Sequence, residues 1–240
     1  MREEVTSVGI VLKAIPFKEN DMILSVYFKE FGKLSLLASG LRKPKSKNAS
    51  SCQPFMISEF TFFLKKGMCK LVSARLVSAH HHIESDLAKQ ACANLITEYF
   101  YRAIPENQPS LIHYDFLKQC LELLHLGYHH LQIYLFILAY ILKDSGSAIV
   151  VDHCACCENT NEIVGISVSK GGFVCLKHLE NNDDSYPVEF LKMFRLINKG
   201  NLSHIDKLTS DVYLLKGLKE IMERFYDEYC PIKLNSRAFI

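Results

Sequence analysis

The sequence predicts an α+β protein: a small five-stranded β barrel followed by a helical region with a cysteine-rich insertion. Three observations carry this expectation. Up to residue 83, apolar and β-branched residues come in short runs separated by Gly, Pro and Asn turn signals. From Ser85 onward they recur every three or four residues, the period of helices packed on one face. Between the later helices, four cysteines and a histidine crowd into residues 154–178.

The strands follow in order. Thr6–Phe17 is a β-branched, apolar run ending near Pro16, and Met22–Phe28 is a second. Glu30-Phe31-Gly32-Lys33 reads as a tight turn into Leu34–Ala38. A basic loop from Gly40 to Gln53 leads to the aromatic-rich strand Phe55–Leu64. Lys65-Lys66-Gly67 then turns the chain into Cys69–Ser78. Five short strands in about 80 residues suggest a small closed barrel, with an SH3-like barrel or a sandwich giving a similar pattern. Alternation puts Phe60 and Phe62 on one face and Phe63 on the other.

Ser85 is a plausible N-cap for the first helix, with apolar positions at Leu87, Ala91, Leu95, Ile96 and Tyr99 and a stop at Pro105. Leu117, Cys120, Leu121 and Leu124 mark a second helix closing near Gly127. His129–Lys143 is apolar almost all round, as expected of a central, buried helix. Val188–Asn198 and Thr209–Tyr229 complete the set. The expected domains are 1–83 for the barrel, 84–150 with 186–240 for the helices, and 151–185 for the insertion.

Within the insertion, Cys154 and Cys157 form one C-x2-C pair, and Cys175 with His178 forms a C-x2-H pair seventeen residues later. Such pairs fold into knuckles that aim two ligands at one point, and the chain between them can form a hairpin that joins the knuckles. The pattern suits structural zinc. Cys156 and His153 are alternative members of the shell, and a metal-free thiol cluster gives the same spacing. The other cysteines sit among apolar neighbours, as small buried hydrophobes. His80-His81-His82 reads as a solvated junction.

Charge divides the chain more sharply than the overall +2 suggests. Residues 1–83 hold 13 basic and 6 acidic side chains, a net of +7, against −5 for the remainder. Between Phe31 and Ile83 there are nine cations and one acid, Glu59. Arg42, Lys43, Lys45 and Lys47 lie in the loop, with Lys33 before it and Lys65, Lys66 and Lys70 after it. A folded head of this charge suits a polyanion such as a phosphate backbone. Aromatics interleaved with the cations would offer stacking surfaces if any pointed outward.

At 49% hydrophobic and 22% charged residues, the composition is that of a globular chain. Its start carries no signal-peptide pattern, and its longest apolar run, Leu131–Leu142, is too short to span a bilayer, so a cytosolic protein is expected. No P-loop, Gly-x-Ser-x-Gly, His-Glu-x-x-His or dinucleotide Gly-rich turn is present, and no enzymatic activity is expected.

Several segments, in order, resemble the bacterial recombination mediator family RecO. They are Lys18-Glu19-Asn20-Asp21, Phe31-Gly32-Lys33, the block Ala38 to Ser46, Cys52-Gln53-Pro54-Phe55, the two knuckles, and Tyr229 to Arg237. His178 stands where a cysteine is usual in the zinc-binding members. The resemblance implies an N-terminal OB-fold, an α-helical domain and a zinc-ribbon-like module. It also implies a role in the RecF pathway of recombinational repair in the bacterial cytosol, at the nucleoid. Such proteins bind single- and double-stranded DNA, anneal complementary strands, contact the acidic C-terminal tail of the single-strand binding protein (SSB), form a complex with RecR and help load recombinase. A zinc-ribbon RNA-binding protein of RNA metabolism or translation is the alternative.

Overall fold

The computed structural model describes residues 3–240. By compactness the chain forms two units: one runs to Gly127 and takes in Leu234–Ile240, and the other spans Tyr128–Lys233.

The first unit begins with five strands: β1 (Glu3–Phe17), β2 (Asp21–Phe28), β3 (Gly32–Ala38), β4 (Ile57–Leu64) and β5 (Cys69–Ser78). They close into a barrel in the order β1-β2-β3-β5-β4, the OB-fold arrangement. Closure depends on the length of β1, whose first half pairs with β4 (Glu3↔Leu64 to Ile10↔Ile57) and whose second half pairs with β2 (Gly9↔Phe28 to Phe17↔Asp21). Gly9 sits where the two pairings overlap, and a Cβ there would come within 2.5 Å of Val26. The parallel contact Leu36↔Cys69 and Leu37↔Lys70 joins β3 to β5. Alternation fills the interior with Val11, Leu24, Val26, Phe28, Leu36, Phe60 and Phe62. The Phe28 ring lies 4.9 Å from that of Phe62 and meets Phe60 edge-on at 5.6 Å.

A short helix, α1 (His81–Glu84), follows, then the hairpin α2 (Leu87–Ala103) and α3 (Leu111–Leu126). Asp86, not Ser85, caps α2: its carboxylate accepts from the amides of Ala88 and Lys89 at 2.9 and 3.2 Å. Ser85 instead closes α1, its hydroxyl donating to the His82 carbonyl at 3.1 Å. Extended Ile104 ahead of Pro105 ends α2. Ser110 caps α3, which begins a turn and a half before its first fully buried apolar position, and left-handed Gly127 ends it.

The second unit is built on α4 (His130–Asp144), buried along nearly its whole length. Gln132, the polar residue in its apolar run, donates to the carbonyls of Leu208 and Thr209 at 3.2 and 3.0 Å. The amphipathic helices α5 (Val188–Lys199) and α6 (Val212–Tyr229) pack around it, and the Tyr134 hydroxyl donates to Glu223 at 2.7 Å. A small sheet of β6 (Ile163–Ser167), β7 (Gly172–Cys175) and β8 (Asp184–Ser185) carries the cysteine-rich segment. Among the described residues, no helix is long and apolar enough to cross a membrane.

Candidate nucleic-acid interface and metal centre

The β3–β4 loop leaves the barrel at Ser39 and is tied back at both ends. Asp21 accepts from the Gly40 amide at 2.7 Å, and Gly40 takes the positive φ (+67°) that this turn requires. The Arg42 amide donates to the Asn20 carbonyl at 3.0 Å, and its guanidinium to Glu19 O at 3.2 Å. Further along, the Asn48 side chain accepts from the Ala74 amide of β5 at 3.1 Å. At the exit, the amide of Phe55 donates to Val11 O at 3.0 Å, and its carbonyl accepts from His80 Nδ1 at 2.8 Å.

The backbone is anchored while the charges are left outward. Arg42, Lys43, Lys45 and Lys47 are exposed, as are Lys65, Lys66 and Lys70. Among the described residues, none of these seven ammonium and guanidinium groups forms an ion pair. Glu59, the acid of this stretch, is taken by Arg75 at 3.1 Å. The topology also draws the cations together. Lys70 lies beside Leu37, next to the strand end from which the loop departs, and Lys65 and Lys66 occupy the turn that leads into β5.

Lys33 departs from the expected set. It is 8% exposed, and its ammonium donates to the carbonyls of Tyr101 (2.6 Å) and Phe100 (3.4 Å) at the C-terminus of α2. Burial lowers its pKa, with the nearby Glu106 carboxylate opposing. Its ammonium is thus turned onto the end of α2 and does not share the exposure of the other seven cations. The aromatics correct the expectation of a stacking surface in a similar way. Tyr27, Phe28, Phe55, Phe60 and Phe62 are buried, while Phe31 and Phe63 are half-buried and the Phe31 ring is edge-on to Phe62.

The histidine run is not a solvated junction throughout. His81 and His82 are exposed, the latter stacked on His125 at 4.5 Å, but His80 is 1% exposed beneath the loop exit. Burial holds the His80 pKa below its ordinary value, assisted by His125 and His81; the Phe55 carbonyl and Glu122 pull the other way.

In the second unit, Cys154, Cys157, Cys175 and His178 converge, with one donor atom of each lying within 4.8 Å of the others. Cys157 Sγ and Cys175 Sγ are 3.8 Å apart, and His178 Nδ1 is 3.3 Å from Cys175 Sγ and 3.7 Å from Cys154 Sγ. A tetrahedral ion with metal–sulfur bonds of about 2.3 Å requires ligand atoms about 3.8 Å apart, so the donor set fits one. Burial opposes ionisation of the Cys154 thiol, yet amides of Cys175, Cys156 and Cys157 directed at its sulfur bring its pKa down to about 6, which favours the thiolate a metal needs. Cys156 is exposed and outside the group, and His153 Nδ1 lies 3.1 Å from the Cys154 carbonyl. His178 is therefore the residue positioned as fourth ligand.

Residues 1–80 match the family described as Recombination protein O N terminal, and residues 84–238 match Recombination protein O C terminal. Among curated relatives, the chain is 30% identical over 235 residues to the DNA repair protein RecO of Shouchella clausii, covering 97% of this chain and 92% of that protein. It is 28% identical over 234 residues to the DNA repair proteins RecO of Bacillus cytotoxicus and Bacillus mycoides, covering 97% of this chain and 94% of each.

Proposed function

We propose, on the premise that the chain belongs to the recombination protein O family and has a role in DNA repair and recombination, that its barrel grips DNA by neutralising phosphates. Arg42, Lys43, Lys45 and Lys47 supply most of the contacts, extended by Lys65, Lys66 and Lys70. The observation that supports this most directly is the set of exposed, unpaired cations on an anchored loop. Such a surface binds single and double strands alike, because both present the same backbone. Screening two backbones at once reduces their repulsion and lets complementary strands anneal, with no covalent step and no catalytic residue.

The finer role follows the same reading: a non-enzymatic mediator that recruits SSB through its acidic tail, associates with RecR and helps load recombinase onto coated single strands. Zinc is the ion we assign to Cys154, Cys157, Cys175 and His178. It fits a thiolate–imidazole set and stabilises a segment too small to have its own core. The named relatives are DNA repair proteins, and the RNA-binding alternative is not favoured.

Replacing the four loop cations with alanine is expected to weaken DNA binding by about a hundredfold near 0.1 M salt, and to flatten the log-affinity against log-salt slope by about three. An unchanged slope refutes the assignment. Strand annealing on strands coated with SSB, with and without that protein's acidic tail, tests the mediator role.

A further inference from the structure

A cleft of about 520 Å³ opens within the first unit, between β1, α2 and the C-terminal turn Asn235–Phe239. Its size is that of a ligand site, roughly 300–1,000 Å³. It uses neither the loop cations nor the Cys/His group. On one wall the Tyr101 ring holds the Lys13 ammonium 4.6 Å from its centroid. Lys13 is exposed and, among the described residues, has no carboxylate partner. Arg102 is tethered alongside by Glu98 at 3.0 Å.

Glu98, the acid of the cleft, is already committed. Besides Arg102, its carboxylate accepts from the amides of Asn235 (3.1 Å) and Ser236 (2.9 Å) and from the Ser236 hydroxyl (2.8 Å). The local balance is therefore cationic. Asn94 and Asn235 also line the space, and among the described residues no hydrogen bond engages either side-chain amide. Each amide offers donors and an acceptor together, the pattern that reads a base edge, whereas an acidic peptide would need cations alone. Pro54, which follows the basic loop directly in the chain, also lines the cleft.

We infer that this cleft receives one nucleotide of a single strand, its phosphate at Lys13 and Arg102 and its base edge at Asn94 and Asn235. A paired base is held in the duplex stack and cannot enter, so the cleft discriminates single from double strands while the loop does not. The inference rests on the barrel being a DNA-binding head.

The test uses the full chain with a labelled 20-nucleotide oligothymidine and a labelled 20-base-pair duplex of about the same length, in matched salt. Lys13→Ala/Asn94→Ala is expected to weaken single-strand binding about tenfold and leave duplex binding within about twofold. Asn94→Asp, which keeps the side-chain size, should weaken the single strand in the same selective way. Equal losses on both DNAs, or no loss on the single strand, overturn the cleft assignment. So does a variant that keeps single-strand affinity but loses binding to a labelled poly-aspartate peptide. The loop variant lacking Arg42, Lys43, Lys45 and Lys47 is run in parallel and should lose both DNAs together. If it loses neither, the DNA-binding reading of the loop fails separately from the cleft.

Discussion

The β3–β4 loop and the Cys/His module are both short segments without a core of their own, and they use their polar side chains in opposite ways. In the module the donor atoms converge, all within 4.8 Å of one another and three pairs of them 3.3–3.8 Å apart, so the side chains themselves close the structure. In the loop, Asp21, Asn48 and His80 hold the backbone, while the cations are exposed and, among the described residues, form no ion pair, Arg42 donating only to the Glu19 carbonyl. Polar groups that converge stabilise a fold, and those that diverge remain available to a ligand.

The largest effect that separates the two regions should come from the module. Cys175→Ser is expected to abolish stoichiometric zinc binding and to expose Ile163–Cys175 to rapid amide exchange, because metal binding and local folding are coupled. DNA affinity should stay within about twofold, and a loss comparable to that of the loop variant would break the contrast.

Asp21→Ala removes an anchor and leaves every cation in place. Loss of a hydrogen bond to a carboxylate is expected to cost about 2 kcal/mol, read as a lower denaturation midpoint, with DNA affinity falling only a few-fold. Should affinity fall as far as in the four-cation variant, loop geometry rather than charge carries binding.

Lys33→Met sharpens the comparison within the basic head. Its ammonium is buried against α2, so the salt slope of DNA binding should not change, in contrast to an equal change at Lys45 or Lys65. A flatter slope would return Lys33 to the DNA track.

The smallest effect is pH dependence at the loop exit. Because the folded pKa of His80 is lowered, the unfolded chain binds the extra proton between about 6.5 and that lower value. The stabilising contribution is complete above pH 6.5 and is lost as pH falls below it, at no more than about 1.4 kcal/mol per pH unit. His80→Asn retains a donor near Phe55 and should flatten that slope in chemical denaturation between pH 7 and 5. An unchanged slope would assign the titration elsewhere.

Several features were legible from residue order because their causes are local. Cys69–Ser78 forms a strand over the span expected after the Lys65-Lys66-Gly67 turn, and Phe60 and Phe62 share one face. The two knuckles meet because each is a three-residue turn joined by a hairpin. The cap of α2 lies one residue beyond Ser85, since Ser85 and Asp86 are both good caps and only the presence of α1 selects between them. Nothing near Lys33 in sequence signals its burial. Its partners are 67 and 68 residues away, and the residue order places it in the turn ahead of Leu34–Ala38. Likewise, Asn235 and Ser236 reach Glu98 across more than 130 residues, which no periodicity reveals.

Residue order alone therefore determined the five barrel strands, the long helices, the ligand spacing and the cationic character of the first 83 residues, because period, turn chemistry and charge act over a few neighbours. Only the tertiary structure decided which cations face solvent, which aromatics vanish into the barrel and where a cleft opens. Those outcomes depend on contacts between distant segments, and burial, unlike propensity, is a property of the packed whole.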